Sequence, residues 1–122
     1  MRIAGTVLAT RDPDELARFY ERLLGWPRVQ DEPDWIVVRG EGVTHALSFH
    51  TDELFEPPTW PSERGAQRIT AHLDIATTDI EAAAEHARAC GAVDAGFQGD
   101  DAIRVMVDPH GHPFCFVPGR PT

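Results

Sequence analysis

Histidine, aspartate and cysteine side chains crowd the second half of this chain at spacings that allow chemistry. The stretch RITAHLDIAT, residues 68–77, carries His72 and Asp74 two positions apart. Alternate residues of an extended strand share a face, so H-x-D is an acid/base-capable pair in which the carboxylate fixes the imidazole's tautomer and orientation. Their Cβ atoms would stand about 7 Å apart, leaving room for a water or a substrate atom between them. The stretch RVMVDPHGHPFCFVPG, residues 104–119, sets His110 and His112 in a Pro/Gly segment and places Cys115 on the run that follows. Asp108 to Gly111 has the composition of a tight turn, with Pro second and Gly fourth. His110 is expected solvated at its tip. His112 has the parity of Phe114 and Phe116, which should face a helix, so His110 and His112 are not read as a metal pair. Cys115 has the opposite parity and points to the functional face. As a nucleophile it would need a neighbouring base and a lowered pKa, whereas FCF reads as packing. The plainer alternative makes His72 a hydrogen-bonded structural histidine, Asp74 a partner of a backbone amide or of Arg104, and Cys115 a small buried hydrophobe.

The elements that must hold these residues repeat. RIAGTVLAT (2–10) is rich in apolar and β-branched residues and predicts a strand. Asp12 is a natural N-cap, Pro13 suits the first helical position, and Glu15 stands three after the cap. Leu16, Phe19, Tyr20, Leu23 and Leu24 form one helical stripe that Gly25 ends. WPRVQ (26–30), DWIVVRG (34–40) and THALSFHT (44–51) predict three strands. DELFEPPTWPSERGAQ (52–67), with three prolines and no periodicity, predicts a connector. The pattern then restarts: a strand over 68–77, a helix capped by Thr78 or Asp79 and closed by Gly91, and strands in VDAGFQG, DAIRVMVD and HPFCFVP. An internal repeat of about 65 residues follows, with module 1 over 1–51, the connector over 52–67 and module 2 over 68–122.

At 122 residues the chain predicts one domain. With 11 basic and 20 acidic residues its formal charge is −9, which disfavours a polyanionic partner. No apolar run approaches the roughly 20 residues of a membrane span, and no secretory leader is visible at the N-terminus. Two cysteines are too few for a disulfide framework, so a cytoplasmic protein with reduced thiols is expected.

DPDELARFYERLLGW, PPTWP, AHLDIATTDIEAA and DPHGHPFCFV together resemble the glyoxalase, bleomycin-resistance and extradiol-dioxygenase superfamily (the vicinal oxygen chelate fold), and within it the glyoxalase-like domain group. The resemblance spans nearly the whole chain. It implies an α+β fold of two tandem βαβββ modules forming a curled mixed sheet around a central cavity, and a homodimer. It does not imply one reaction, because the superfamily hosts isomerases, dioxygenases, lyases and drug-binding proteins.

Metal-using relatives place a ligand on the first and last strand of each module. Counting seven residues back from the capping aspartates gives Gly5 and His72. Counting seven on from Asp108 gives Cys115, where Glu is usual. The fourth position lies among Ala46, Ser48 and His50. His72, Cys115 and His50 are thus the candidate ligands of a degenerate site for a soft divalent ion such as zinc, the other expectation being no cofactor. His72 and Asp74 are the candidate catalytic pair, and Ser48, His50, Trp60, Arg104 and Cys115 are candidate contacts to a small-molecule ligand. Trp60, an aromatic in a loop, suits stacking on a flat ligand. The function implied is an enzyme of lyase, isomerase or dioxygenase type. The alternative is a metal-free drug-binding protein of the bleomycin-resistance type, to which a charge of −9 would draw cationic drugs.

Overall fold

Each half of the chain folds as strand, helix, then three strands. The structure is a computed structural model that describes residues 1–120. Two units separate by their internal contacts, Met1–Phe55 and a second beginning at Glu56.

In the first unit, β1 (Gly5–Thr10) leads into α1 (Pro13–Leu24), followed by β2 (Arg28–Glu32), β3 (Trp35–Val38) and β4 (Ala46–Thr51). The helix begins where the sequence signals it. An Asp12 side-chain oxygen accepts from the Glu15 amide at 3.1 Å, Pro13 takes the first turn, and Gly25 ends the helix at φ 69°. The sheet runs β1-β4-β3-β2, with β1 parallel to β4 and the other pairs antiparallel. Leu16, Ala17, Phe19, Tyr20 and Leu23 bury the helix stripe, and Ile36, Val38, Leu47 and Phe49 are among the buried sheet residues of this unit. Tyr20 stacks on Phe49 at 5.6 Å between ring centroids and meets Phe19 edge-on at 4.8 Å. Such aromatic pairs add about 0.5–1.5 kcal/mol each beyond burial. Arg28 ties the start of β2 to the helix, binding Glu21 at 2.6 Å and Asp14 at 2.8 Å.

The second unit repeats this order with β5 (Leu73–Thr77), α2 (Ile80–Cys90), β6 (Val93–Asp94), β7 (Arg104–Val107) and β8 (Pro113–Pro118), in the sheet β5-β8-β7-β6. Asp79 caps α2, accepting from the Ala82 amide at 3.0 Å. Ala84, Ala87 and Cys90 are its buried residues, smaller than the stripe of α1. The fold is therefore α+β, two βαβββ modules each with its own four-stranded mixed sheet.

Several boundaries differ from the sequence reading. The first strands of the modules start at Gly5 and Leu73 rather than at 2 and 68. The strand expected over 93–99 shrinks to two residues. Beyond it the Gln98 side chain takes over the pairing, donating to the carbonyls of Ala95 and Val105 and accepting from the Val105 amide at 2.8 Å. The connector folds back on itself: Thr59 bridges Arg68, and the Thr59 amide bonds the Gln67 carbonyl at 2.6 Å. Among the described residues, no helix is long and apolar enough to cross a membrane.

Close approach crowds three glycines, Gly5, Gly111 and, beside the Trp26 ring, Gly40. At Gly111 (φ 95°) a Cβ would sit 2.4 Å from Pro57 Cβ, and at Gly5 it would sit 2.7 Å from the Ala46 carbonyl oxygen. The obstacle at Gly5 is backbone of the parallel partner strand, so no side chain fits there without moving β4. Replacing Gly5 by Val should lower stability by about 1–3 kcal/mol, the usual cost of overpacking. Urea unfolding of the full chain checks this; an unchanged midpoint would show that β1 shifts freely.

Candidate functional site

The parallel pairing of β5 with β8 sets Asp74 across from Cys115, and β7 sets Val105 across from Cys115 on its other side. Strand alternation then divides the second sheet into two faces. Leu73, Ile75, Phe114, Phe116, Arg104 and Met106 share the face toward α2. Asp74, Ala76, Cys115, Val117, Val105 and Val107 share the open face.

On that face Cys115 is 4% exposed and lies with Ala95 and Val105 in a small apolar cluster. Trp60, Ile103, Val107 and Val117 pack against the cluster. His72 precedes β5, and its Nε2 meets Asp74 Oδ1 at 3.1 Å. The room expected between the two side chains for a water or substrate is therefore closed by a direct contact. His72 and Asp74 side chains are 40% and 57% exposed, so the imidazole and carboxylate form a solvent-facing lip above a buried thiol. One ligand atom from each of His72, Asp74 and Cys115 lies within 4.8 Å of the other two. Burial, and then the charge of Asp74, raise the Cys115 pKa above its ordinary 9.0. The thiol is thus held protonated at neutral pH, the opposite of what an activated nucleophile needs.

The other residues singled out from the sequence fall as follows. Trp60 is on this side of the second unit, its Nε1 donating to the Phe97 carbonyl at 2.9 Å and its ring tilted on Phe97. Arg104 is not brought to the group. It faces α2, where it pairs with Glu81 and, at 3.5 Å, with Asp94. Asp94 is in turn held below the usual carboxylate range, first by its hydrogen bond from Arg88, against burial, and then by the charges of Arg88 and Arg104. Ser48 and His50 belong to the first module. There Ser48 is buried opposite Val7 on β1, and His50 is exposed opposite Ala9. The strand registers of the two modules correspond, Gly5, Val7 and Ser48 taking the places of His72, Asp74 and Cys115, and His50 that of Val117. The position left open among Ala46, Ser48 and His50 is thus Ser48 by the repeat's own logic.

His110 is half-buried rather than solvated. The amides of His110 and His112 donate to one oxygen of the buried Asp108 carboxylate at 2.9 and 3.0 Å. That makes the DPHGH segment a built turn, as its composition suggested. The sequence reading missed Asp74 as a companion of Cys115, and also the apolar floor around the thiol. Alternation across β5, β7 and β8 carried both, once the strand pairing was known.

Two modules of this kind in tandem define the vicinal-oxygen-chelate class of proteins. The chain belongs to the glyoxalase-like domain family, whose pattern it matches over residues 5–117. Solved structures with the same fold include a glyoxalase/bleomycin resistance protein/dioxygenase family enzyme from Burkholderia phytofirmans PsJN, at 16% identity and a TM-score of 0.72 over 97% of this chain and 98% of that one. A possible glyoxalase from Bacillus cereus is similar at 14% identity and a TM-score of 0.69, over 96% and 98% of the two chains. An antibiotic-binding protein from Streptomyces sp. CB03234 is similar at 16% identity and a TM-score of 0.65, over 98% and 97%. No curated protein sequence matches the chain.

Metal ions are common in this family, and the donors can be tested against one. The positions in the first module do not fit: Gly5 has no side chain and no space for one, and Ser48 is a neutral hydroxyl. In the second module an imidazole, a carboxylate and a thiol are within reach of a single ion, and their chemistry fits a borderline-soft divalent metal.

Exposed ion pairs contribute about 0–1 kcal/mol, so His72→Ala and Asp74→Asn should each change unfolding free energy by less than about 1 kcal/mol. Cys115 behaves differently. The native state holds its thiol proton more tightly than the unfolded chain does. Its contribution is therefore complete below the ordinary thiol pKa of 9.0 and is lost as pH rises past it. Urea midpoints should fall between neutral pH and pH about 10 in the wild type and fall less in Cys115→Ala. Parallel curves for the two proteins would refute the assignment.

Proposed function

We propose that the chain is an enzyme that binds a small organic molecule on the open face of its second sheet, with His72, Asp74 and Cys115 as the reactive group. The observation that carries this reading is their convergence within 4.8 Å, at the edge of an apolar floor. A fold has little use for such a group. The His72–Asp74 contact is too exposed to stabilise the sheet appreciably, and a thiol alone would fill the space beneath it.

The roles follow from the geometry. Asp74 holds the His72 ring, which places the imidazole to exchange a proton with a bound ligand. Cys115, kept protonated, offers a weak hydrogen bond rather than an attacking sulfur. Val117 and Trp60, both only partly buried, supply the apolar surface for a carbon skeleton. The family's lyase, isomerase and dioxygenase chemistries are the reaction classes to test. A homodimer in the cytoplasm, with no nucleic-acid or membrane partner, completes the reading; the charge of −9 supports the exclusion of nucleic acid.

The second reading is a sequestering protein that binds without turnover. The same net charge favours it, since an acidic protein attracts cationic drugs, and one structural neighbour is an antibiotic-binding protein. A thermal-shift screen followed by turnover assays on the hits separates the two. The enzyme reading expects at least one compound consumed, with His72→Ala slowing turnover by about 10²–10⁴-fold while the compound still stabilises the variant. Stabilisation by basic aromatic compounds alone, with none consumed, would replace it by sequestration.

A further inference from the structure

We infer that the first module carries a separate binding groove, at the turn between β3 and β4, for the carboxylate of a small acid with an apolar body. It lies outside the group of His72, Asp74 and Cys115 and does not depend on how that group is read.

The repeat shows what this turn lacks. The registers that match Ser48 with Cys115 also match Val37 with Val105, and therefore Gly40 with Asp108. Both turns close with the same backbone bond. The Val43 amide donates to the Gly40 carbonyl at 3.1 Å, and the Gly111 amide to the Asp108 carbonyl at 3.0 Å. In the second module the Asp108 carboxylate then gathers the amides two and four residues on, those of His110 and His112. In the first module Gly40 offers no carboxylate, and the Trp26 ring takes the room for one: a Cβ there would sit 2.7 Å from Trp26 Nε1. The amides two and four residues on belong to Gly42 and Thr44. Among the described residues, neither amide has a partner within the chain.

Positive charge stands beside these amides instead. Gly42 and Thr44 line an open groove of about 510 Å³ together with Arg2 and Arg39, a volume within the range of small-molecule sites, about 300–1,000 Å³. All the basic residues of this chain are arginines, and Arg18, Arg28, Arg88 and Arg104 are committed to carboxylates. Arg2 donates to the Thr44 carbonyl at 3.3 Å, and among the described residues neither Arg2 nor Arg39 has an ion pair. A guanidinium presents a fork of N–H groups that matches a carboxylate. Glu41 is the acid of the lining, so two arginines against one glutamate leave the groove a net positive charge. Pro27, Val29 and Val43 form its apolar wall, with Val29 49% exposed. A polyanion is repelled by the −9 of the whole chain, and bare phosphate would leave the wall uncovered. A monocarboxylate on an aromatic or branched carbon body satisfies both.

The test is a proton–nitrogen correlation NMR titration of the full chain, at low ionic strength, with benzoate, benzamide and inorganic phosphate. Benzoate should shift the Gly42 and Thr44 amides saturably. Benzamide has the same shape without the charge and should not, and phosphate should bind at least about threefold more weakly than benzoate for want of the apolar contact. Arg2→Gln and Arg39→Gln should each weaken benzoate by about threefold or more, and Glu41→Gln should tighten it. All three side chains are exposed, so the variants should keep the wild-type spectrum elsewhere. Benzoate shifts confined to the second module, equal binding of benzamide, or unchanged affinity in both arginine variants would each overturn the groove. Phosphate binding as tightly as benzoate would overturn the apolar body of its ligand. Turnover is not read, so failure here and failure of the enzyme reading are separate results.

Discussion

Parallel pairing between β5 and β8 fixes the register in which Asp74 lies opposite Cys115, and the chemistry of this chain follows from that register. A slip of one residue would turn Cys115 toward α2 and bring Phe114 or Phe116 to the open face. What prevents the slip is the burial of those phenylalanines. Both are nearly inaccessible and meet edge-on at 5.5 Å. The sheet's packing on its helix side thus sets which donors appear on the other side. The DPHGH turn contributes to the same end, since the Asp108 carboxylate gathers two amides and delivers the chain into β8 at Pro113.

Duplication makes the specialisation visible. Both modules share the capped helix, the glycine stop and the strand order, and their registers correspond pair by pair. Yet Gly5, Val7 and Ser48 stand where the second module has His72, Asp74 and Cys115. Packing differs in the opposite sense. The first helix buries Leu16, Phe19, Tyr20 and Leu23, while the second buries Ala84, Ala87 and Cys90. The module with the larger aromatic core lacks the donors, and the module with the donors has the smaller helix stripe.

Much of this was legible in the sequence because it rests on local rules. Asp12 and Asp79 announce their helices through capping chemistry, and Gly25 and Gly91 announce the ends. Counting back from the caps by the spacing that the family resemblance implies gave His72, and strand parity sent Cys115 away from the phenylalanines. What escaped depends on contacts distant in sequence. The connector's return through Thr59 and Arg68 has no periodic signal. Nor does the use of the Gln98 side chain in place of strand backbone. Arg104 is a different kind of miss. Its parity with Met106 and Phe116 already placed it on the helix side, and the lure was its charge rather than its position. The direct His72–Asp74 contact was hidden because His72 precedes β5, where alternation no longer governs side-chain spacing.

The aspartates of the second module show how the fold separates structure from chemistry. Asp108 is 3% exposed and spends one carboxylate oxygen on two backbone amides; removing it would leave buried donors without partners, at a cost of about 1–3 kcal/mol each. Asp79 caps its helix, and Asp94 is tied between Arg88 and Arg104. Asp74 has none of these duties. Its carboxylate meets a histidine that is itself exposed. A carboxylate that the sheet does not need, held beside an imidazole and across from a thiol, is free to be shaped by what binds there.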